Sequence, residues 1–251
     1  MNAMVFAAGY GSRLGRLTEA CPKALIEVGR RPMLGRVLDN LEAAGIVRTV
    51  VNTHHLARQV EAYLADRPRG GMQIMVSDET DRLLDTGGGL AKAVGQLGTA
   101  APVMAHNVDV LTDLPLVSLS TAHMESGADV TLLAVDRPTS RKLLFAPDGR
   151  MTGWINTTTG ATRPASTDPA SAVRLGFCGI QVLGPAALRE LVEYAAVRGG
   201  DPFSITDFYI ERCATLDIRA FTPESPIEWF DIGRPETLEA ARKSALSGLV
   251  P

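Results

Sequence analysis

Apolar runs that alternate with amphipathic segments dominate the first half of the chain. The strand-like runs span residues 3–8, 48–52, 72–77 and 102–106, and the helical segments span 33–44, 56–65 and 90–97. This order is typical of an α/β fold of the Rossmann-like, doubly wound type, in which helices cover both faces of a mixed, mostly parallel sheet. Because such sheets bind ligands where their strands end, we expect the chemistry at those ends.

The pattern changes after residue 113. A helix over 116–126 and a strand over 129–135 precede a predicted hairpin with strands at 141–145 and 150–155. Residues 156–172 are rich in Thr, Pro, Ser and Gly, which predicts a mobile loop that forms a lid or wall over a bound molecule. The remaining predicted elements are a strand over 175–183, helices from Pro185 and Ser204, a strand over 218–221 and a helix over 235–246. We predict a single domain over 1–251, with parts 1–113, 114–230 and 231–251.

A glycine-rich turn follows the first strand. Its residues are Ala7, Ala8, Gly9, Tyr10, Gly11 and Ser12, followed by Arg13 and, farther along, Lys23. Such a turn can bring backbone N–H groups against phosphate oxygens, and the two basic residues add positive charge nearby. Leu14 stands where a dinucleotide fingerprint needs its third glycine, and the Gly-Lys-Ser/Thr of a P-loop is absent. We therefore interpret the turn as a cradle for a triphosphate.

An acidic side chain follows the strand over 102–106. It belongs to Asp109, which comes directly after His106, Asn107 and Val108. A carboxylate at the ligand-binding edge of the sheet can hold Mg²⁺, which prefers one or two carboxylates together with substrate phosphates. We expect Asp109 to be a metal ligand; taken alone, the same residue could instead cap the following helix.

Three consecutive glycines, Gly87, Gly88 and Gly89, follow Thr86 between a predicted strand and a predicted helix. Positions without side chains let a flat ligand lie against the backbone. The alternative is that the run serves only as a flexible entry into the helix.

These motifs together resemble the sugar-1-phosphate nucleotidylyltransferases. The likeness rests on Ala-Ala-Gly-x-Gly-x-Arg-Leu from Ala7, on Thr18 and on Pro22-Lys23, and it extends to about Leu246. Compact members of the family, such as the N-acetylmuramate-1-phosphate uridylyltransferases, share the Gly-Gly-Gly segment. The resemblance implies Mg²⁺-dependent transfer of a nucleotidyl group from a nucleoside triphosphate, with UTP as the family-level expectation, to a sugar 1-phosphate.

The resemblance also implies roles for individual residues. The segment around Trp229 is similar to the family's Trp-x-Asp-x-Gly-Thr, so Asp231 is expected to be the second Mg²⁺ ligand. Arg13 and Lys23 are expected to steady the leaving pyrophosphate and to complete the catalytic set with Asp109 and Asp231. The expected nucleotide-binding residues are Ala7, Ala8, Gly9, Gly11, Ser12, Asn52, Thr86, Gly87, Gly88 and Asn107.

The chain departs from the family pattern in three places. Val108 stands at a usual glycine, Gly15-Arg16 stands at a common proline, and no Glu-Lys-Pro follows Trp154. The substrate phosphate therefore needs another cation, and Gly179 and Asn156 are implied to line the sugar pocket. The expected sugar-phosphate contacts are Asn156, Gly179, Arg141, Arg174 and, as a further cation, Lys142.

Two alternatives come from other classes. One is a cytidylyltransferase that uses CTP and an amino-alcohol phosphate such as phosphocholine, although an aromatic content of 5% does not favour a site for a quaternary ammonium. The other is a non-catalytic, nucleotide-binding regulatory module. The departures from the family pattern at Val108 and Gly15-Arg16 favour it.

Composition limits the partners and the compartment. A net charge of −3 argues against nucleic acid as a partner, and no apolar run is long enough to predict a membrane span. Three scattered cysteines fit a reducing compartment, and the first residues lack the pattern of a signal peptide. We expect a cytoplasmic monomer or homodimer.

Overall fold

The computed structural model describes residues 1–68, 70–165 and 167–244. In chain order its strands are β1 (Asn2–Phe6), β2 (Glu27–Val28), β3 (Arg31–Pro32), β4 (Arg48–Thr53), β5 (Gln73–Asp78), β6 (Val103–Asn107), β7 (Val110–Thr112), β8 (Val130–Val135), β9 (Arg141–Phe145), β10 (Met151–Asn156), β11 (Thr162–Arg163), β12 (Val173–Leu183), β13 (Ile218–Phe221) and β14 (Trp229–Asp231). The helices are α1 (Met33–Ala43), α2 (Ala57–Asp66), α3 (Asp85–Leu97), α4 (Leu116–Ser126), α5 (Pro185–Val197), α6 (Ile205–Arg212) and α7 (Pro235–Lys243).

A ten-stranded mixed sheet forms the centre of the molecule. Its strand order is β11-β10-β9-β12-β6-β1-β4-β5, and β8 and β13 join it beside β12. Strands β6, β1, β4 and β5 run parallel, whereas β12 is antiparallel to β6, β8 and β9. The parallel strands therefore end at one edge, as in other doubly wound sheets. The predicted Rossmann-like α/β class is confirmed.

Alternating side chains of the strands pack into a separate apolar layer on each face of the sheet. Met4 and Ala105 belong to the layer under α3, α5 and α6, and their neighbours Val5 and Met104 belong to the layer under α1 and α4. No helix in the described ranges is long and apolar enough to cross a membrane.

Two local predictions need correction, and one hairpin was missed. Helix α3 begins at Asp85, so Gly87–Gly89 lie in its first turns and not in a loop before it. The segment predicted as a loop over 156–172 contains β11, which pairs with β10. The short hairpin of β2 and β3 was not predicted, because strands of two residues carry no periodic signal. The predicted end of the last helix, at 246, lies outside the described residues.

Candidate active site

A cleft of about 410 Å³ opens where the parallel strands end. Its walls are the turn after β1, the end of β6 and the start of α3. The lining residues are Phe6, Ala7, Ala8, Gly9, Lys23, Asn52, Leu83, Asp85, Thr86, Asn107, Val108, Asp109 and Pro202. A larger cleft of about 660 Å³ lies beside α1, but neither the glycine turn nor Asp109 lines it. The smaller cleft is therefore the candidate active site.

The glycine turn is held open by close packing beneath Gly11. This residue has φ of 67°, and a Cβ placed on it would lie 2.8 Å from Thr18 Cγ2 and 3.1 Å from Lys23 Cβ. The Thr18 hydroxyl donates to the carbonyls of Gly11 and Gly15 at 3.1 Å each. Only glycine combines this left-handed conformation with such close neighbours. Thr18 and Lys23 thus shape the turn from below.

Asn52 fixes the beginning of the turn. Its side-chain oxygen accepts hydrogen bonds from the backbone N–H groups of Ala7 at 2.7 Å and of Ala8 at 3.3 Å. Both alanines border the cleft, but their N–H groups are already satisfied. Of the predicted N–H donors to phosphate, this leaves those of Gly9, Gly11 and Ser12, and it makes Asn52 a support for the turn.

Glu79 extends this support to the opposite wall of the cleft. The carboxylate, 1% exposed, accepts from Asn52 Nδ2 at 2.8 Å and from the backbone N–H of Leu84 at 3.0 Å. One buried pair, Asn52 and Glu79, therefore joins the turn after β1 to the segment that enters α3. Sequence reasoning missed Glu79, although its place directly after β5 would have marked it as a strand-end residue.

Two histidines after β4 also hold this side of the cleft. His55 Nε2 donates to Thr18 O at 2.9 Å, and His54 Nδ1 donates to Glu79 O at 2.6 Å. The Tyr10 hydroxyl is hydrogen-bonded to His54 Nε2 at 2.8 Å. These contacts link the turn to the ends of two neighbouring strands.

The two predicted metal ligands come together. The N–H of Ile232 donates to Asp109 O at 2.9 Å, and Asp231 lies opposite Val110 where β14 pairs with β7. Burial, followed by the negative charge of Asp109, raises the pKa of Asp231 above its ordinary value. Val108 is buried in the apolar layer under α1, so the departure at this position leaves the Asp109 carboxylate in the cleft.

Two basic side chains accompany the carboxylates. Lys23 Nζ forms an ion pair with Asp109 Oδ2, and Arg13 Nη2 lies 3.9 Å from Asp231 Oδ2. A Cβ on Gly233 would lie 2.5 Å from Arg13 Nη2, so the glycine makes room for the guanidinium. All four predicted catalytic residues therefore gather at one place.

The donor set fits a hard divalent cation. Two carboxylates that repel each other gain from a cation between them, and Mg²⁺ takes one or two carboxylates and completes its shell with phosphates and water. Within 1–68, 70–165 and 167–244 no group of three or more His, Cys, Asp or Glu side chains could hold a metal ion. An ion at Asp109 and Asp231 would thus depend on substrate oxygens for the rest of its ligands.

The glycine run has a packing role that the sequence did not reveal. The N–H groups of Gly87 and Gly88 donate to Phe203 O at 2.9 and 3.4 Å, and a Cβ on Gly87 would lie 2.2 Å from Phe203 Cε2. These N–H groups are therefore engaged within the protein, and the expected contact of Gly87 and Gly88 with the nucleotide stays a prediction. Thr86 borders the cleft, and its hydroxyl accepts from Ile205 N at 3.0 Å.

The predicted sugar-side residues are less closely gathered. Gly179, with φ of 77°, lies against Asn107, since a Cβ there would be 2.7 Å from Asn107 Nδ2. The Asn156 side chain accepts from the N–H groups of the turn that follows it, and Arg174 Nη2 donates to Pro169 O at 3.0 Å. Arg141 is exposed opposite Asn156 at the end of the hairpin. Only Gly179 contacts a residue of the cleft wall.

The model of the MobA-like NTP transferase domain matches residues 3–172, which include the turn, Asn52, Glu79 and Asp109. The chain belongs to this family. It is therefore a nucleotidyltransferase. The chain is 31% identical over 245 residues to the N-acetylmuramate alpha-1-phosphate uridylyltransferase of Caulobacter vibrioides, covering 95% of this chain and 94% of that protein. It is 41% identical over 114 residues to the enzyme of that name from Neisseria meningitidis, covering 45% and 49%.

Solved structures agree on the fold of this MobA-like NTP transferase. A putative glucose-1-phosphate thymidylyltransferase from Bacillus anthracis superposes with a TM-score of 0.81 at 18% identity, covering 100% of this chain and 96% of that one. An apo UDP-glucose pyrophosphorylase superposes with a TM-score of 0.77 at 14% identity, covering 100% of both chains. At such identities the likeness concerns the fold alone.

Proposed function

We propose that this nucleotidyltransferase transfers a nucleotidyl group from UTP to a sugar 1-phosphate and releases pyrophosphate, with Mg²⁺ as its cofactor. The observation that carries the proposal is the meeting of Asp109 and Asp231 beside the glycine turn. The name of the Caulobacter relative, which aligns along nearly the whole chain, supports the uridylyl group and suggests N-acetylmuramate 1-phosphate as the first sugar to try.

The reaction needs no protein base, because the sugar phosphate already presents an anionic oxygen to the α-phosphorus. The task of the chain is therefore to position two anions in line and to balance their charge. In this proposal the N–H groups of Gly9, Gly11 and Ser12 donate to phosphate oxygens. Lys23 and Arg13 add positive charge beside the carboxylates, where we expect the pyrophosphate to leave.

Asp109 and Asp231 would hold Mg²⁺, which supplies charge neutralisation for the phosphates when it is bound. Asn52 and Glu79 keep the turn and the entry to α3 at a fixed separation. Asn107 and Gly179 together form the boundary between the nucleotide and the sugar, and Thr86 contributes to the wall beside the base.

Arg141, Arg174 and Asn156 stay proposals as sugar-phosphate contacts. The division into a nucleotide part over 1–113, a sugar part over 114–230 and a final part over 231–251 also stays a prediction. So do the cytoplasmic location and the monomeric or homodimeric state.

The experiment is a matrix of substrates with pyrophosphate release as the readout. The four nucleoside triphosphates are each offered with N-acetylmuramate 1-phosphate, glucose 1-phosphate and mannose 1-phosphate, and CTP is also offered with phosphocholine. We expect release with UTP and at least one sugar phosphate, and its loss when a chelator removes divalent cations. Release only with CTP and phosphocholine would favour the cytidylyltransferase. Nucleotide binding without release in any combination would favour the regulatory module.

A further inference from the structure

Arg137 follows β8 and lies between two elements on the sugar side of the cleft. Its Nη2 donates to Phe177 O of β12 at 2.7 Å, and its guanidinium carbon lies 4.4 Å from the centre of the Trp229 ring on β14. Trp229 Nε1 in turn donates to Cys178 O at 2.9 Å. The half-buried guanidinium is thereby held in place by β12 and β14.

One donor of this guanidinium, its Nε, has no hydrogen-bond partner among the described residues. A guanidinium has five N–H donors, yet the Nε of Arg137 is buried without an acceptor in the part of the chain that the structure describes. Its acidic neighbour Asp136 pairs with Lys142 Nζ at 2.8 Å instead. A buried donor without a partner is costly, so an anion that enters from the cleft would satisfy it.

The position of Arg137 relates it to the carboxylates. Trp229 and Asp231 are two residues apart on β14, so their side chains share a face, about 7 Å apart along the strand. Phe177 is two residues before Gly179, which lies against Asn107 of the cleft wall. Arg137 is therefore held by two residues, Phe177 and Trp229, that are each two positions from a residue of the candidate site.

We propose that Arg137 binds an anionic oxygen of the sugar substrate, either of its 1-phosphate or of a carboxylate on the sugar. The planar fork of arginine suits both groups, because it can donate two parallel hydrogen bonds to phosphate or carboxylate. Arg137 was not among the cations expected from the sequence. It supplies the positive charge that the lysine of the absent Glu-Lys-Pro motif would have provided. This inference rests on the proposed function.

The test compares Arg137→Gln with the wild type and with Arg189→Gln, a change of the same type at an exposed position on α5. The KM of UTP and the KM of two sugars, glucose 1-phosphate and glucuronic acid 1-phosphate, are measured separately. We expect Arg137→Gln to raise the KM of the sugar phosphate about 10-fold or more, with the KM of UTP unchanged. Arg189→Gln should leave both values as in the wild type.

This design distinguishes the two anions that Arg137 could bind, the 1-phosphate and a carboxylate on the sugar. A loss of equal size for both sugars identifies the 1-phosphate, whereas a loss confined to the glucuronic acid derivative identifies a carboxylate. An unchanged KM for both sugars overturns the proposal. An equal rise in the KM of UTP also overturns it, since Arg137 would then act only by positioning Trp229 and Asp231.

A binding measurement keeps the inference separate from the proposed activity. The chain has two tryptophans, so Trp154→Phe leaves Trp229, stacked under Arg137, as the only emitter. Titration with either sugar 1-phosphate should change its fluorescence, and Arg137→Gln should weaken that binding about 10-fold, whereas Arg137→Lys, which keeps the charge, should weaken it less. If the wild type releases no pyrophosphate with any substrate pair, the proposed function fails, while this titration still tests Arg137. Equal affinity in wild type and Arg137→Gln overturns the role of Arg137 alone.

Discussion

On the nucleotide side of the cleft, buried polar side chains join loops that follow different strands, whereas two polar side chains predicted for the sugar side bond to backbone nearby in the chain. Asn52 and Glu79 link the turn after β1 to the entry of α3 across long stretches of sequence. Asn156 and Arg174 bond within a few residues of themselves. The nucleotide side is thus tied together across the sequence, and on the other side Arg137 and Trp229 make contacts of this kind between strands.

The largest effect is expected where the two sides meet. Asp109→Asn and Asp231→Asn should each lower kcat by about 10²-fold or more, because each removes a carboxylate that would hold Mg²⁺ beside the reacting phosphates. Steady-state rates of pyrophosphate release measure this effect, with Asp66→Asn at an exposed position on α2 as the control. A wild-type kcat in either variant would contradict a metal site shared by Asp109 and Asp231, and so the place where the two sides of the cleft are said to meet.

The contrast between the sides explains what the sequence could predict. Gly11, Lys23, Asp109 and Asp231 could be proposed from the sequence because motif spacing and strand ends mark them. The place of Glu79 after β5 marks a strand end, but nothing in its sequence surroundings shows that Asn52 and Leu84 N converge on it. The same holds for Gly87, whose requirement for glycine comes from Phe203, distant in sequence.

On the sugar side the sequence predicted elements better than roles. The helix over 116–126 and the strand over 218–221 have the predicted bounds. The roles of Arg141 and Arg174 were inferred from charge alone. Charge does not tell which cation is held between strands, and the packing of Arg137 on Trp229 is visible only in the structure.

Acid pH should lower the free energy of unfolding through a buried histidine on β6, the strand between the two sides of the cleft. Burial lowers the pKa of His106 on β6 from 6.5 to about 4, against a hydrogen bond to Asn107 O that favours the charged form. Between these pH values the unfolded chain binds a proton on His106 and the folded chain does not. The contribution of His106 to the free energy of unfolding is therefore fully present above pH 6.5 and is lost as the pH falls towards 4. The difference amounts to at most about 3 kcal/mol.

Urea unfolding between pH 4 and 7.5 measures this loss. His106→Gln should flatten the pH dependence more than His123→Gln does, since burial also lowers the pKa of His123 but encloses it less completely. Equal slopes in the wild type and His106→Gln would exclude His106 as a source of the acid sensitivity.

The next effect isolates the nucleotide side. Glu79→Gln replaces an acceptor oxygen by an amide that cannot satisfy both Asn52 Nδ2 and Leu84 N, so we expect a loss of about 1–3 kcal/mol in the free energy of unfolding. The KM of UTP should rise while the KM of the sugar phosphate stays unchanged. Glu125→Gln, at an exposed position on α4, is the matched control. A rise confined to the sugar phosphate would reverse the assignment of the two sides.

The smallest expected effect is on stability, where replacing two glycines of α3 by alanine should change the free energy of unfolding in opposite directions. A Cβ on Gly87 would overlap the Phe203 ring at 2.2 Å and approach Phe203 O at 2.9 Å, whereas a Cβ on exposed Gly95 would meet nothing within 4 Å. Gly87→Ala should therefore destabilise the fold by about 1–3 kcal/mol, and Gly95→Ala should stabilise it by about 0.5–1 kcal/mol, because alanine favours a helix interior. Urea unfolding of the two variants measures both changes. If both stabilise, the glycine run is only a flexible helix entry, and the packing of α3 on Phe203 does not require glycine at 87.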